Sequence, residues 1–96
     1  MIERIEMNEK RLDDLIETAN HLEDILVELK EKKKDYKALN RYYGSKNWFK
    51  DKEAYEENKI PNMKAGVLSE DAVWDMITDF EYHLKELKRI IKDYEK

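Results

Sequence analysis

The amino-acid sequence predicts an all-α protein made of two long antiparallel amphipathic helices. Charged residues make up 44% of the 96 residues and hydrophobic residues 41%, with only two glycines and one proline. This composition favours long helices over a sandwich or barrel, which needs many turns. Two stretches carry apolar residues at alternating steps of three and four, the spacing of a coiled-coil or bundle helix. The length predicts one domain over residues 1–96.

The first helix is predicted over residues 2–43, where neither glycine nor proline interrupts the chain. Gly44 follows at once and is a natural residue to end a helix. Three polar residues occupy seam positions where an apolar residue is expected, namely Asn8, Lys33 and Asn40. The apolar seam itself is formed by Ile5, Leu12, Leu15, Ala19, Leu22, Leu26, Leu29 and Tyr36, and it is widened by Ile2, Ile16, Ile25 and Leu39.

The second helix is predicted over residues 69–95. Ser69 is a candidate N-cap, and two acidic residues follow it, where they favour the helix dipole. Leu68 and Val73 are spaced as a hydrophobic staple around the start of this helix. Its seam is formed by Val73, Ile77, Phe80, Leu84, Leu87, Ile91 and Tyr94.

The connection over residues 44–68 is predicted to be structured. Ser45 or Asn47 is positioned to cap a short helix, but residues 51–57 carry few apolar groups and predict at most one or two helical turns. Ile60 precedes Pro61, which pushes its backbone away from the α conformation. We therefore expect a loop between the short helix and the second long helix.

Helix length predicts a homodimer. The first helix would be roughly 64 Å long and the second roughly 40 Å, from the rise per residue of an α-helix. An apolar stripe at Ile2, Ile5 and Leu12 would remain uncovered by a hairpin of these two helices. Either the first helix breaks, or a second subunit packs against this stripe. We favour a homodimer whose paired hairpins form a bundle of four long helices.

The connection and the residues that flank it carry a distinctive pattern. It consists of Tyr42-Tyr43-Gly44-Ser45, Trp48-Phe49, Asp51, Pro61, Gly66-Val-Leu-Ser-Glu-Asp-Ala-Val73 and Asp75. This pattern resembles that of a bacterial family described as domain of unknown function 4298, which usually carries an aromatic residue, often tyrosine, where Trp74 stands. The resemblance covers most of the chain, and it implies an all-helical intracellular bacterial protein without an assigned activity.

The charge is distributed unevenly along the chain. The net charge is −4, yet residues 30–52 carry nine Lys or Arg and three acidic residues, a net charge of +6. Aromatic residues interleave with these cations, a combination that binds single-stranded nucleic acid or a phosphate-bearing ligand. We favour a structural role for the rings, because most of them lie near the seam or the core of the connection.

Nucleophilic catalysis lacks the necessary residues. There is no cysteine, and His21 and His83 lie on separate helices beside seam positions. No glycine-rich phosphate loop occurs. Asp71, Asp75 and Asp79 form a row on one helix face, which we expect to pair with the lysines and Arg41 at the end of the first helix. A divalent-cation site is the less favoured alternative.

These observations predict a non-enzymatic, cytoplasmic self-assembly and protein-interaction module without cofactor, metal or catalytic site. The alternative is a binder of nucleic acid or a phosphate ligand through residues 30–52. No signal peptide or membrane-spanning segment is predicted, and the expected partners are a second copy of the chain and another protein. The candidate interaction surface consists of Arg41, Tyr42, Tyr43, Ser45, Trp48, Trp74 and Asp75.

Overall fold

The computed structural model describes all residues from 1 to 96 and contains only helices. The predicted all-α class is confirmed. The chain divides into two compact units, Met1–Lys37 and Ala38–Lys96, which are described separately. The antiparallel pairing of the two long helices and the dimeric bundle stay predictions. The α-helices are α1 (Ile2–Tyr42), α2 (Lys46–Glu56) and α3 (Glu70–Glu95), and a short 3₁₀ helix covers Gly66–Leu68.

The first unit is a single helical segment, the larger part of α1. None of the 41 residues of α1 is buried. The polar contacts of this segment are local, for example the hydrogen bond from Asn8 Nδ2 to the carbonyl oxygen of Arg4 at 2.8 Å and the ion pair of Lys10 with Asp14 at 2.8 Å. Because this unit is a single helix, it contains no second element against which its own apolar stripe could pack.

The second unit starts with the end of α1. Gly44 has φ of +78°, in the left-handed region. Around it, the backbone N–H of Tyr43 donates to the carbonyl oxygen of Leu39 and that of Ser45 to Tyr42, both at 3.0 Å. Because glycine has no Cβ, it adopts this conformation without steric cost. The predicted end of the first helix at Gly44 is confirmed.

Helix α2 is longer than the sequence predicts. It has 11 residues, about three turns, and the expectation of at most two turns is wrong. The hydroxyl of Ser45 accepts the backbone N–H of Trp48 at 3.2 Å and caps the helix, so Ser45 rather than Asn47 is the N-cap. Helix α2 has no apolar stripe, and Trp48 is the one residue of this helix that is buried.

Ser69 separates the 3₁₀ helix from α3. Its hydroxyl accepts the backbone N–H groups of Asp71 and Ala72 at 3.3 and 3.4 Å, which confirms the predicted N-cap. Leu68 and Val73, on either side of this cap, are both buried, as a hydrophobic staple requires. With Trp48, they form the small core of the second unit.

The two glycines offer a matched test of the turn after α1. Gly44→Ala would place a Cβ in the left-handed region, and we expect a loss of about 1–2 kcal/mol in the free energy of unfolding. Gly66→Ala is the control, since Gly66 lacks a positive φ and both positions have open space for a Cβ. We expect Gly66→Ala to stay within about 0.5 kcal/mol of the parent in urea unfolding. Equal losses would show that the positive φ of Gly44 is not what makes glycine necessary there.

Candidate interaction surface

Two adjacent tyrosines connect the end of α1 to the elements that follow it. The Tyr42 hydroxyl donates to Asp51 Oδ2 on α2 at 2.6 Å. The Tyr43 hydroxyl donates to the backbone carbonyl oxygen of Glu70, at the start of α3, at 2.8 Å. Together with Trp48, these four residues form what we call the corner. Its polar groups bind one another and hold the turn together.

Trp48 lies at the centre of the corner and is only 3% exposed. Its ring meets the rings of Tyr43 and Phe49 edge-on, with centroids 5.2 and 5.0 Å apart. Its Nε1–H donates to the carbonyl oxygen of Val67 at 2.9 Å, so its one polar group is satisfied. This is the arrangement of a packing residue, because a buried indole needs a partner for its N–H.

Lys52 connects α2 to α3 beside this ring. Its Nζ lies 5.3 Å from the centroid of Trp48 and 2.6 Å from Glu70 Oε1. The hydrogen bond with Glu70 raises the pKa of Lys52, and the same bond lowers the pKa of the Glu70 carboxyl. Both groups stay charged at neutral pH. One of the nine cations in the basic segment is thus neutralised within the chain.

The Tyr42 hydroxyl is the most perturbed titratable group. Its hydrogen bond to Asp51 raises the pKa of Tyr42 to about 12, with smaller contributions from burial and from the negative charge of Asp51. Ionising this hydroxyl would remove its proton from the bond and place two negative charges together. The phenol is therefore protonated at physiological pH and donates its hydrogen bond to Asp51.

We expect Asp51→Asn to return the pKa of Tyr42 toward about 10, the usual value for tyrosine. The folded-state pKa of Tyr42 lies above the unfolded value, so its contribution to stability is complete below about pH 10 and is lost as the pH rises through about 12. Titration of ¹³C-labelled tyrosine by NMR would measure the shift. Asp75→Asn is the matched control, because Asp75 makes no hydrogen bond and should leave the titration of Tyr42 unchanged.

The predicted surface residues do not share one environment. Tyr42, Tyr43 and Ser45 are half-buried in the corner and Trp48 is buried. Arg41, Trp74 and Asp75 are exposed, and Trp74 has 59% of its surface in solvent. A cavity of about 320 Å³ beside Tyr42 includes neither Trp74 nor Asp75. It is lined by Tyr42, Asp51, Ile60, Pro61, Met63, Lys64, Ala65, Val67 and Leu68.

The sequence-based surface omitted residues that hold the corner. Asp51 appears among the family motif residues, but nothing in the periodicity marks it as the acceptor for Tyr42. Lys52 lies four residues after Trp48, so on a helix of full length it stands one turn above that ring. The full length of α2 is thus the signal that places Lys52 beside Trp48. Nothing in the sequence marks the backbone carbonyl oxygens of Val67 and Glu70 as hydrogen-bond acceptors.

The predicted pairing of the aspartate row is wrong. Asp79 Oδ1 lies 3.2 Å from Nε2 of His83 on the same helix, and Asp71 and Asp75 form no ion pair. No group of three or more histidine, aspartate or glutamate side chains is arranged to hold a metal ion. The lysines that were expected to neutralise the row, and Arg41, are also without ion pairs. They are Lys30, Lys32, Lys33, Lys34 and Lys37.

The first unit carries a row of exposed aliphatic side chains. Six aliphatic side chains, which we call the α1 face, each have between 49% and 60% of their surface in solvent. They follow the predicted seam and its widened stripe over four turns. An amphipathic helix normally buries such a stripe against another element. The α1 face consists of Leu12, Leu15, Ile16, Leu22, Ile25 and Leu26.

Comparison with known proteins identifies the family. The model of the domain of unknown function DUF4298 matches residues 5–90, which include α2, the corner and most of α1 and α3. The chain belongs to the DUF4298 family. This confirms the resemblance found in the motifs around Tyr42 and Ser69. No curated protein and no solved structure matches the DUF4298 chain. Its helices lack an apolar stretch of the length that a membrane span requires.

Proposed function

We propose that this DUF4298 protein is a non-enzymatic self-assembly module that forms a homodimer through the α1 face. One observation carries the proposal: α1 extends over 41 residues with an apolar seam and buries none of them. Isolated helices are marginally stable in water, and most helical stability in proteins comes from packing an apolar face. A second copy supplies that packing without another gene product.

The free energy gained by burying the α1 face supports association. Full burial of a leucine or isoleucine side chain stabilises by about 1.5–3 kcal/mol, so a half-exposed one gains roughly 1 kcal/mol when covered. A dimer covers six such side chains from each chain, which gives on the order of 12 kcal/mol. The loss of translational and rotational freedom costs about 4–15 kcal/mol. Hydrophobic burial on the α1 face thus offsets most or all of that cost, and the rest of the seam adds to it.

Helix α3 supplies the other half of the proposed bundle. It carries exposed apolar residues along its C-terminal half, including Leu84, Ile90 and Ile91. In the proposed dimer, each α3 returns antiparallel to α1 of its own chain, and two such hairpins enclose one core. The corner fixes the turn between the two helices. Arg41, Trp74 and Asp75 remain outside the packed corner as the surface that would meet another protein.

Binding of nucleic acid through residues 30–52 has less support. Stacking on bases requires exposed rings, whereas Trp48 is buried and the hydroxyls of Tyr42 and Tyr43 bind within the chain. Lys52 is paired with Glu70. Phe49 is the one exposed ring of this segment, with 60% of its surface in solvent, and a single ring is a small platform for successive bases.

Light scattering coupled to size exclusion tests the proposal. At micromolar concentration and neutral pH, we expect a mass twice the 11.7 kDa of the chain. A mass of one chain across the micromolar range would contradict the proposed homodimer. A parallel mobility-shift titration with a single-stranded oligonucleotide at low salt should show no retardation. Retardation would favour the alternative function.

A further inference from the structure

We infer that two copies of α1 pair antiparallel, in a register that places Leu12 of one chain opposite Leu29 of the other. This inference rests on the proposed homodimer and names its geometry. Two independent features of α1 carry it. One is the distribution of charge along the helix, and the other is the symmetry of its apolar and polar seam positions.

The charge of α1 reverses along its length. Residues 2–29 contain nine acidic and three basic residues, a net charge of −6. Residues 30–42 contain six basic and two acidic residues, a net charge of +4. Parallel pairing would place each basic segment beside its own copy. In the antiparallel register, residues 30–40 lie opposite residues 1–11 of the partner, which contain three acidic and three basic residues. Residues 12–29, which hold the net charge of −6, face their own copy in either direction and do not distinguish the two. Antiparallel pairing thus keeps the two basic segments apart and avoids their mutual repulsion.

These charges are available for a partner chain. The ion pair of Lys10 with Asp14 is the only one formed between residues of α1. None of the lysines at positions 30, 32, 33, 34 and 37 has an ion pair, and acidic residues such as Glu6, Glu9 and Glu17 have none either. The cations of the basic segment are therefore unneutralised in a single chain, and parallel pairing would place two such segments side by side.

The seam is symmetric about the midpoint between Asn20 and His21. Between residues 12 and 29, each apolar position of the seam and its widened stripe has an apolar counterpart at the same distance on the other side of this point. Reversing one copy about the midpoint thus stacks apolar layers on one another without a gap. The paired positions are Leu12 with Leu29, Leu15 with Leu26, Ile16 with Ile25, and Ala19 with Leu22.

The same symmetry accounts for two polar seam residues. Asn8 and Lys33 are counterparts about the midpoint, so each lies opposite the other in the antiparallel pair. The amide oxygen of Asn8 accepts a hydrogen bond from Arg11 at 3.0 Å and has a second lone pair for the Lys33 ammonium group. In a parallel pair in register, Lys33 would face Lys33 within the seam. A polar residue at one seam position specifies register in coiled coils.

Single cysteines and a short bifunctional maleimide distinguish the two directions, because the native chain has no cysteine. Leu12→Cys and Leu29→Cys are each prepared alone, in the full chain, and also coexpressed with different tags. In the antiparallel pair, the thiols that Leu12→Cys introduces into the two chains lie about 25 Å apart along the axis, from the rise per residue. The thiol at position 12 of one chain lies opposite the thiol at position 29 of the other in the coexpressed pair.

We expect cross-linked dimer from the coexpressed mixture and none from either single variant. Glu9→Cys with Lys30→Cys, on the flank of the seam, should give the same pattern if the leucine variants lose helix by circular dichroism. Cross-linking of the single variants would establish parallel pairing and overturn the inference. A dimer by light scattering that fails to cross-link in every sample overturns it too, while leaving the proposed homodimer standing. A monomeric parent chain overturns both.

Discussion

Leu22→Lys is expected to convert the protein to a monomer and to remove most of the helical signal of the first unit. Leu22 lies in the central layer of the α1 face and is about half exposed in the single chain. Because the dimer contains this residue twice, the substitution loses roughly 1 kcal/mol of apolar burial at each copy. It also desolvates two ammonium groups, at a cost of about 1–3 kcal/mol each. The loss of about 4 kcal/mol corresponds to roughly a thousandfold rise in the dissociation constant.

Light scattering and circular dichroism at one protein concentration would measure both effects. Asn20→Lys is the matched control, since it adds the same charge on the same turn but outside the seam. We expect this control to keep the parent mass and helicity. If Leu22→Lys also stays dimeric, α1 does not form the interface and the proposed function is wrong. If both variants become monomers, the added charge and not the seam determines assembly.

The sequence predicts the helix ends well because their signals are local. Gly44 stops α1 through its own backbone freedom, and Ser69 caps α3 through its hydroxyl two and three residues along the chain. Neither depends on distant parts of the protein. The extent of α1 follows in the same way, because no residue between its ends interrupts the heptad spacing.

The corner was less predictable because its bonds join residues that are far apart in the sequence. The carbonyl oxygen of Val67 receives the indole N–H of Trp48 only after the connection has folded back, and the hydroxyl of Tyr43 reaches the backbone of Glu70 in the same way. Backbone acceptors have no residue signature. The expected surface therefore included Trp48, which the fold uses as its core, together with Trp74, which stays exposed.

Trp48→Ala should destabilise the second unit more than any other single substitution. Truncating a buried tryptophan typically costs about 3–5 kcal/mol. Trp48 belongs to a core of three buried residues and donates to Val67. A unit of this size has only about 3–9 kcal/mol in total, from the usual stability per residue. We therefore expect loss of the second unit's cooperative unfolding transition in urea, followed by circular dichroism at fixed protein concentration.

Trp74→Ala is the matched control, because the same ring is removed from an exposed position. We expect a change within about 0.5 kcal/mol. Trp48→Phe separates packing from hydrogen bonding, since it keeps a ring but leaves the carbonyl of Val67 without its donor, at a cost of about 1–3 kcal/mol. Equal losses at Trp48 and Trp74 would mean that Trp74 is buried in solution. Together with dimerisation, that result would place Trp74 in an interface, because one chain leaves its ring in solvent.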